Sequence, residues 1–173
     1  GLLDSKDPKR WKEMRKRVED QGRSIPMLCC SPDFTHPDPS FRQKQVDLEK
    51  TWIDLAAALG SSFCRVLSGQ RRPELSEDDG LNYAAECIRS LIPHAKAAGI
   101  TLNLENHYKD GYWQYPEFAQ SHARFVELVR RIPEGPGFGV NYDPSNALIL
   151  GEDPIALLEA VKQRVVTMHA SDR

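Results

Sequence analysis

Short apolar runs alternate along this chain with longer stretches in which apolar residues recur at helical spacing. The apolar runs lie at 24–30, 62–68, 100–105, 138–142 and 165–169. Each run is mostly apolar or β-favouring and follows a turn or a helix stop, which is typical of parallel strands in βα units. The pattern predicts an α/β domain, either closed as a barrel or open and doubly wound.

The stretches around these runs are predicted to be helices. They begin near Pro8, Ser40, Ser76, Pro116 and Pro154. An aspartate followed by proline, as in Asp153-Pro154, is a typical helix start, and Gly99 is a typical stop. Pro93 lies inside the third predicted helix, and we expect it to kink or divide that helix.

Composition and charge narrow the range of partners. The 173 residues include 23 Lys+Arg and 25 Asp+Glu, a net charge of −2. Nucleic acid is not expected as a partner, because duplex binding requires many neutralised phosphates. The chain has neither the roughly 18 consecutive apolar residues of a membrane span nor a signal-peptide core at its start, so we expect a cytoplasmic protein without membrane contact. Four cysteines without a CxxC pair indicate structural thiols rather than a zinc site.

Metal-binding side chains stand at the ends of three consecutive predicted strands. Glu105 ends the third strand, Asp143 follows the fourth, and His169 ends the fifth. Active sites of α/β barrels form at the C-terminal rim of the strands. Two carboxylates and an imidazole suit Mn²⁺, Mg²⁺, Co²⁺ or Zn²⁺. A single such residue is usually a surface polar group, but three at equivalent positions indicate a site for one divalent ion.

Four segments resemble the xylose isomerase-like TIM-barrel superfamily, and within it the bacterial sugar phosphate isomerases/epimerases. They are LGSSFCRVLSG, LNLENH, VNYDPSN and VVTMHASD. The resemblance implies a (β/α)₈ barrel of which residues 1–173 form a single partial domain, with strands similar to the second to sixth of eight. It also implies one divalent metal ion bound by Glu105, Asp143 and His169. The family's fourth ligand, a glutamate on the eighth strand, has no counterpart here, and such a barrel typically needs about 250 residues. We therefore expect a fragment.

The reaction implied by this resemblance is proton transfer next to the carbonyl of a small carbohydrate. The metal would act as a Lewis acid and stabilise an enediolate. Glu105 resembles one of two glutamates that serve as both ligand and base in the epimerase branch. Two alternatives remain open: an inosose-type polyol dehydratase on the same mononuclear site, and a non-catalytic truncated product. The apurinic endonuclease branch is disfavoured, because Asn146 stands where that branch has a histidine.

Four further residues are candidates for substrate binding. His107 is either a substrate-hydroxyl contact or proton shuttle, or a loop histidine bonded to backbone. Asn146 either supports the site or belongs to an Asx turn. Asp172 is a candidate to orient a ligand or reach a substrate hydroxyl. Arg65, costly to bury unpaired, is expected to have a carboxylate partner in the barrel, whether structural or from a substrate. A homo-oligomer is a further possibility, because an incomplete barrel leaves open sheet edges.

Overall fold

The structure, a computed structural model, describes residues 7–171. Its strands are β1 (Met27–Cys29), β2 (Phe63–Val66), β3 (Thr101–Glu105), β4 (Phe138–Tyr142) and β5 (Val165–Met168). Its helices are α1 (Pro8–Glu19), α2 (Pro39–Ala58), α3 (Glu77–Ala97), α4 (His122–Arg130), α5 (Pro144–Ile149) and α6 (Pro154–Val161), and a 3₁₀ turn at Lys162–Arg164 precedes β5.

The order of the strands distinguishes a barrel from an open doubly wound sheet. All neighbouring pairs are parallel, and the order is β1-β2-β3-β4-β5. A doubly wound sheet reverses its strand order at a switch point, whereas here every crossover continues in the same direction. Right-handed crossovers in one direction place the helices on one face of the sheet, as in the outer layer of a barrel. The predicted incomplete α/β barrel is confirmed as a half-barrel of five parallel strands with flanking helices.

The two faces of the sheet differ in polarity because successive side chains of a strand point to opposite sides. The outer face packs against the helices through fully buried side chains such as Cys64, Val66, Leu102, Leu104 and Val140. The inner face is polar. Paired positions across the sheet place Arg65, Asn103, Glu105, Asn141 and Thr167 on it. The candidate functional side chains therefore lie on the inner face, and the hydrophobic core lies between the outer face and the helices.

Three helices differ from the sequence-based expectation. The third helix, α3, continues through Pro93 without division. Proline removes one backbone hydrogen bond, but the apolar residues on either side remain packed in the core and hold the helix together. The fourth begins at His122 rather than near Pro116, because the backbone at Glu117 pairs with Gln70 instead. The short helix α5 was not predicted. Within residues 7–171, no helix is both long and apolar enough to cross a membrane.

Candidate metal centre

The three predicted metal ligands converge at the C-terminal ends of β3, β4 and β5. One potential ligand atom from each of Glu105, Asp143 and His169 lies within 4.8 Å of the other two. His169 Nδ1 is 3.0 Å from Glu105 Oε1 and 3.9 Å from Asp143 Oδ2. Both carboxylates are buried, whereas the imidazole is partly exposed. The adjacency of the three strands therefore brings together residues that are 38 and 26 positions apart in the sequence.

Asp143 is fixed at the junction between β4 and α5. Its Oδ1 caps α5 by accepting hydrogen bonds from the Ser145 backbone N–H at 2.9 Å and the Ser145 hydroxyl at 2.6 Å. The side-chain amide of Asn106 pairs with both backbone groups of Asp143, donating to the carbonyl at 2.7 Å and accepting from the N–H at 2.8 Å. The contacts with Ser145 engage Oδ1, and Oδ2 is the oxygen nearer His169.

The two carboxylate oxygens of Glu105 have different partners. Oε1 lies 3.0 Å from His169 Nδ1 and accepts a 3.4 Å hydrogen bond from the Asn146 amide. Oε2 lies 2.8 Å from Arg65 Nε, yet the N–H does not point at it, and this buried oxygen accepts no hydrogen bond from residues 7–171. We treat the contact as an ion pair rather than a hydrogen bond. Oε2 therefore retains the capacity to bind a metal or a proton.

Arg65 has the carboxylate partner that its burial requires. Burial opposes its charge, but the negative charge of Glu105 together with smaller contributions from Cys29 and Glu117 outweighs that effect and raises the pKa of Arg65. The guanidinium also donates to the Cys30 carbonyl at 2.7 Å. The expected carboxylate contact is thus confirmed as a contact with Glu105, whereas a role in substrate binding stays a prediction.

Of the other predicted site residues, Asn146 contacts one of the three candidate ligands, whereas His107 faces a different carboxylate. Asn146 is buried and contacts Glu105. The Asx-type hydrogen bond of the same segment runs from the Ser145 backbone N–H to the carboxylate of Asp143. His107 does not join the three ligands: its Nδ1 lies 3.6 Å from Glu117 Oε2. Asp172 lies outside the described residues, so its predicted role stays a prediction.

Two buried residues of this region were not predicted. Glu117 is fully buried, accepts hydrogen bonds from the Ser68 N–H at 2.8 Å and hydroxyl at 2.9 Å, and has a pKa raised by burial. It lies in a segment that was assigned to a helix, so its sequence context gave no signal. Asn106 stands between two candidate residues in LENH, and only its packing against β4 reveals its contact with Asp143.

Comparison with known proteins identifies the family and the fold. A family model described as xylose isomerase-like TIM barrel matches residues 3–173. The chain belongs to this family. No curated protein matches the chain in a sequence search.

Solved structures share the fold at low sequence identity. A D-tagatose 3-epimerase-like protein superposes with a TM-score of 0.80 at 18% identity, covering 96% of this chain and 63% of its own. The 3-keto-D-glucoside 4-epimerase YcjR of E. coli has a TM-score of 0.77 at 15% identity, covering 95% and 65%. The probable 3-DHS dehydratase AsbF of Bacillus anthracis has a TM-score of 0.71 at 16% identity, covering 93% and 55%. This chain spans 55–65% of the length of these neighbours.

Proposed function

We propose that this protein is a divalent-metal-dependent isomerase or epimerase of a small sugar, sugar phosphate or polyol. The observation that carries the proposal is the convergence of Glu105, Asp143 and His169 on one point of the inner face. Membership of the xylose isomerase-like family and structural similarity to sugar epimerases support the class of reaction.

The residues of the site fit a divalent ion. Two carboxylates and an imidazole match the oxygen and nitrogen ligands of Mn²⁺, Mg²⁺, Co²⁺ and Zn²⁺. Glu105 Oε1 and Asp143 Oδ2 both face the imidazole of His169, at 3.0 Å and 3.9 Å from its Nδ1. Glu105, Asp143 and His169 would therefore hold the ion. When bound, such an ion supplies Lewis-acid polarisation of a substrate carbonyl, which makes the neighbouring C–H more acidic.

Glu105 is the residue we assign to proton transfer. Oε1 is oriented by His169 and Asn146, which leaves Oε2 as the oxygen able to accept a proton from the substrate carbon. A base must lie within hydrogen-bond reach of the proton that it removes, so the fixed position of this side chain matters for the rate. Arg65 offsets the negative charge of Glu105 within the buried site.

We assign the remaining predicted residues to substrate binding. Asn146 touches Glu105 and has an Oδ1 that is buried without a hydrogen-bond partner among residues 7–171, so a substrate hydroxyl would satisfy it. His107 follows Glu105 by two positions, and its Nδ1 faces Glu117. We assign to this imidazole a hydrogen bond with a substrate hydroxyl. Asp172 and Arg65 complete the predicted set.

A polyol dehydratase is the second candidate. It would use the same mononuclear site, and the probable dehydratase AsbF is among the structural neighbours. A non-catalytic role is the third, because the chain spans only part of the length of its neighbours. Metal binding and substrate chemistry distinguish the three.

Metal binding is tested first, by calorimetric titration with Mn²⁺. We expect one ion per chain, bound about 10–100-fold more weakly by Glu105→Gln and Asp143→Asn, since the loss of a supporting residue alone has an effect of that size. The matched control is Glu86→Gln, an exposed glutamate of α3 that should bind as tightly as the unaltered chain. Absence of binding, or equal binding by all variants, would favour the non-catalytic role.

Chemistry is tested by incubating the metal-loaded protein with ketoses, including D-tagatose and D-fructose, in deuterated water. We expect deuterium to enter at the carbon next to the carbonyl, as measured by NMR. Glu105→Gln should slow this exchange about 10²–10⁴-fold, the usual contribution of a general base. Loss of water from a polyol ketone without ketose exchange would instead identify a dehydratase. A chain that binds metal yet exchanges no proton and dehydrates nothing would refute the isomerase proposal.

A further inference from the structure

A second group of potential metal ligands lies on the outer face of the sheet. This thiol cluster consists of Cys30, which follows β1, Glu49 of α2, and Cys64 of β2. All three are buried, and one potential ligand atom from each lies within 4.8 Å of the others. Cys64 and Arg65 are neighbours on one strand, so they point to opposite faces. Arg65 reaches Glu105, and the thiol cluster is therefore separate from the candidate metal centre.

Glu49 is the unusual member of this cluster. The residue is 2% exposed, and no Lys, Arg or His lies within ion-pair distance of it among the described residues. The hydrogen bond to its Oε1 comes from the Cys64 thiol at 3.3 Å. Burial raises the pKa of Glu49 to about 7. A buried carboxyl group is stable only when it is protonated or when a cation compensates its charge. Hydrogen bonds from two thiols stabilise a buried carboxylate only weakly, whereas a cation bound by all three side chains would compensate its charge.

Two distances within the cluster are close to those around a tetrahedral zinc ion. Zn–S bonds of about 2.3 Å and Zn–O bonds of about 2.0–2.2 Å at tetrahedral angles separate two sulfurs by about 3.8 Å and a sulfur from an oxygen by about 3.6 Å. The two thiols of this cluster are 3.9 Å apart, and Cys64 Sγ lies 3.3 Å from Glu49 Oε1. A bound ion would therefore require side-chain shifts of only a few tenths of an ångström in these two distances.

We propose that Cys30, Glu49 and Cys64 form a binding site for a thiophilic divalent ion of the zinc class. Thiolates select zinc over magnesium and manganese, so this site and the inner-face site would prefer different metals. Both thiols lose their protons to solvent when the ion binds, and the carboxyl group binds as its anion. With three protein ligands, the fourth tetrahedral position is open to a water molecule or a backbone carbonyl.

The position of the site indicates a structural role. Its ligands come from α2, from β2 and from the residue that follows β1, so the ion would join the helix directly to the sheet. An ion that binds only the folded chain stabilises it by mass action. This proposal goes beyond the proposed function, since neither the isomerase chemistry nor the inner-face ligands depend on it.

The proposal is tested by titrating the metal-free chain with Co²⁺, a spectroscopic substitute for zinc. We expect a thiolate-to-cobalt charge-transfer band, which reports this site alone because the inner-face ligands include no thiol, and which disappears when Zn²⁺ is added. The band should persist in Glu105→Gln, because that variant alters only the inner face. It should disappear in Cys64→Ser and persist in Cys87→Ser, which removes a buried thiol outside the cluster.

The variant Glu49→Gln distinguishes a metal site from a metal-free cluster whose members share protons through hydrogen bonds. It also tests the proposal if Cys64→Ser does not fold. This variant preserves the shape of the side chain but removes its negative charge. We expect cobalt to bind at least about tenfold more weakly, since even indirect support of a metal ligand contributes that much. If the unaltered chain gives no thiolate band, or Glu49→Gln binds cobalt as well as the unaltered chain does, the site is a neutral hydrogen-bonded cluster and the proposal is wrong.

Discussion

Asn106 makes two of the contacts that fix Asp143 at the candidate metal centre. The amide of this buried side chain satisfies the N–H and the carbonyl of the aspartate, so β3 and β4 are linked at the point where the ligands emerge. A buried backbone group without a partner costs about 1–3 kcal/mol. The position of Asp143 Oδ2 therefore depends on a residue that is itself no ligand.

We expect Asn106→Ala to weaken Mn²⁺ binding about 10–100-fold and to lower the free energy of unfolding by about 2–4 kcal/mol, because two buried backbone groups lose their partner. Calorimetric titration and urea unfolding measure the two effects. The control is Asn82→Ala, whose amide oxygen accepts a hydrogen bond from Arg131 away from the strand ends. Unchanged metal affinity in Asn106→Ala would show that Asp143 is held by its other contacts alone.

The sequence pattern predicted some side chains of the candidate site and missed others. The types and positions of Glu105, Asp143 and His169 were predicted because parallel strands end at one edge of the sheet. The contact of Arg65 followed from the cost of an unpaired buried charge. Asn106 and Glu117 could not be predicted, because their partners lie in other elements and their residue types are common in loops.

Between elements, a buried ion pair joins the loops that follow β1 and β2. Arg72 Nη2 lies 2.6 Å from Asp33 Oδ2, and Gln70 donates to both oxygens of Asp33 from its backbone and side chain. Burial opposes ionisation of Asp33, but the hydrogen bonds from Arg72 and Gln70 outweigh it and lower the pKa of the carboxyl group. The two loops at the rim are thereby held together by charge.

This ion pair predicts a pH-dependent loss of stability. Because the folded-state pKa of Asp33 lies below its ordinary value of 3.8, the pair contributes its full stability above pH 3.8 and loses it as the pH falls through the lowered folded-state value. We expect Arg72→Met to lower the free energy of unfolding by about 3–5 kcal/mol at neutral pH, since it leaves a buried charge unpaired. The difference from the unaltered chain should shrink at strongly acidic pH, as measured by urea unfolding.

The matched control is Arg71→Met, because the neighbouring guanidinium forms no ion pair within the part of the chain that the structure describes. It should change stability by less than about 0.5 kcal/mol, as is usual for surface substitutions. Equal effects of the two substitutions would show that the loops are not held by this pair.

At the scale of the whole molecule, the half-barrel has two edge strands. β5 is the edge strand next to the candidate metal centre, and its Val166 and Met168 are 42% and 59% exposed. Helices α5 and α6 near this edge expose Leu148 and Ile155, at 58% and 63%. An open strand edge with exposed apolar side chains favours association with another chain. The predicted homo-oligomer remains a prediction that these exposed residues support.

We expect the 173-residue chain to associate in a concentration-dependent manner, measured by sedimentation velocity. The double substitution Leu148→Glu and Ile155→Glu should shift the equilibrium towards monomer, because it places charges on the exposed apolar surface. Leu48→Glu is the control, since that leucine is 43% exposed on α2 and lies far along the chain from β5. A monomer at every concentration, or equal effects of both variants, would contradict association through this face.

The amino-acid sequence alone predicted the alternation of strands and helices, the three candidate metal ligands and, through the resemblance of four segments, the family. These predictions are local, because they depend on periodicity, on helix-start signals, on short motifs and on residue types at strand ends. Packing of the folded chain sets the sequential strand order that makes the sheet a half-barrel, the pairing of Asn106 with Asp143, and the meeting of Cys30, Glu49 and Cys64. Spacing in the sequence carries no signal for such contacts, since they form only when separate βα units pack side by side.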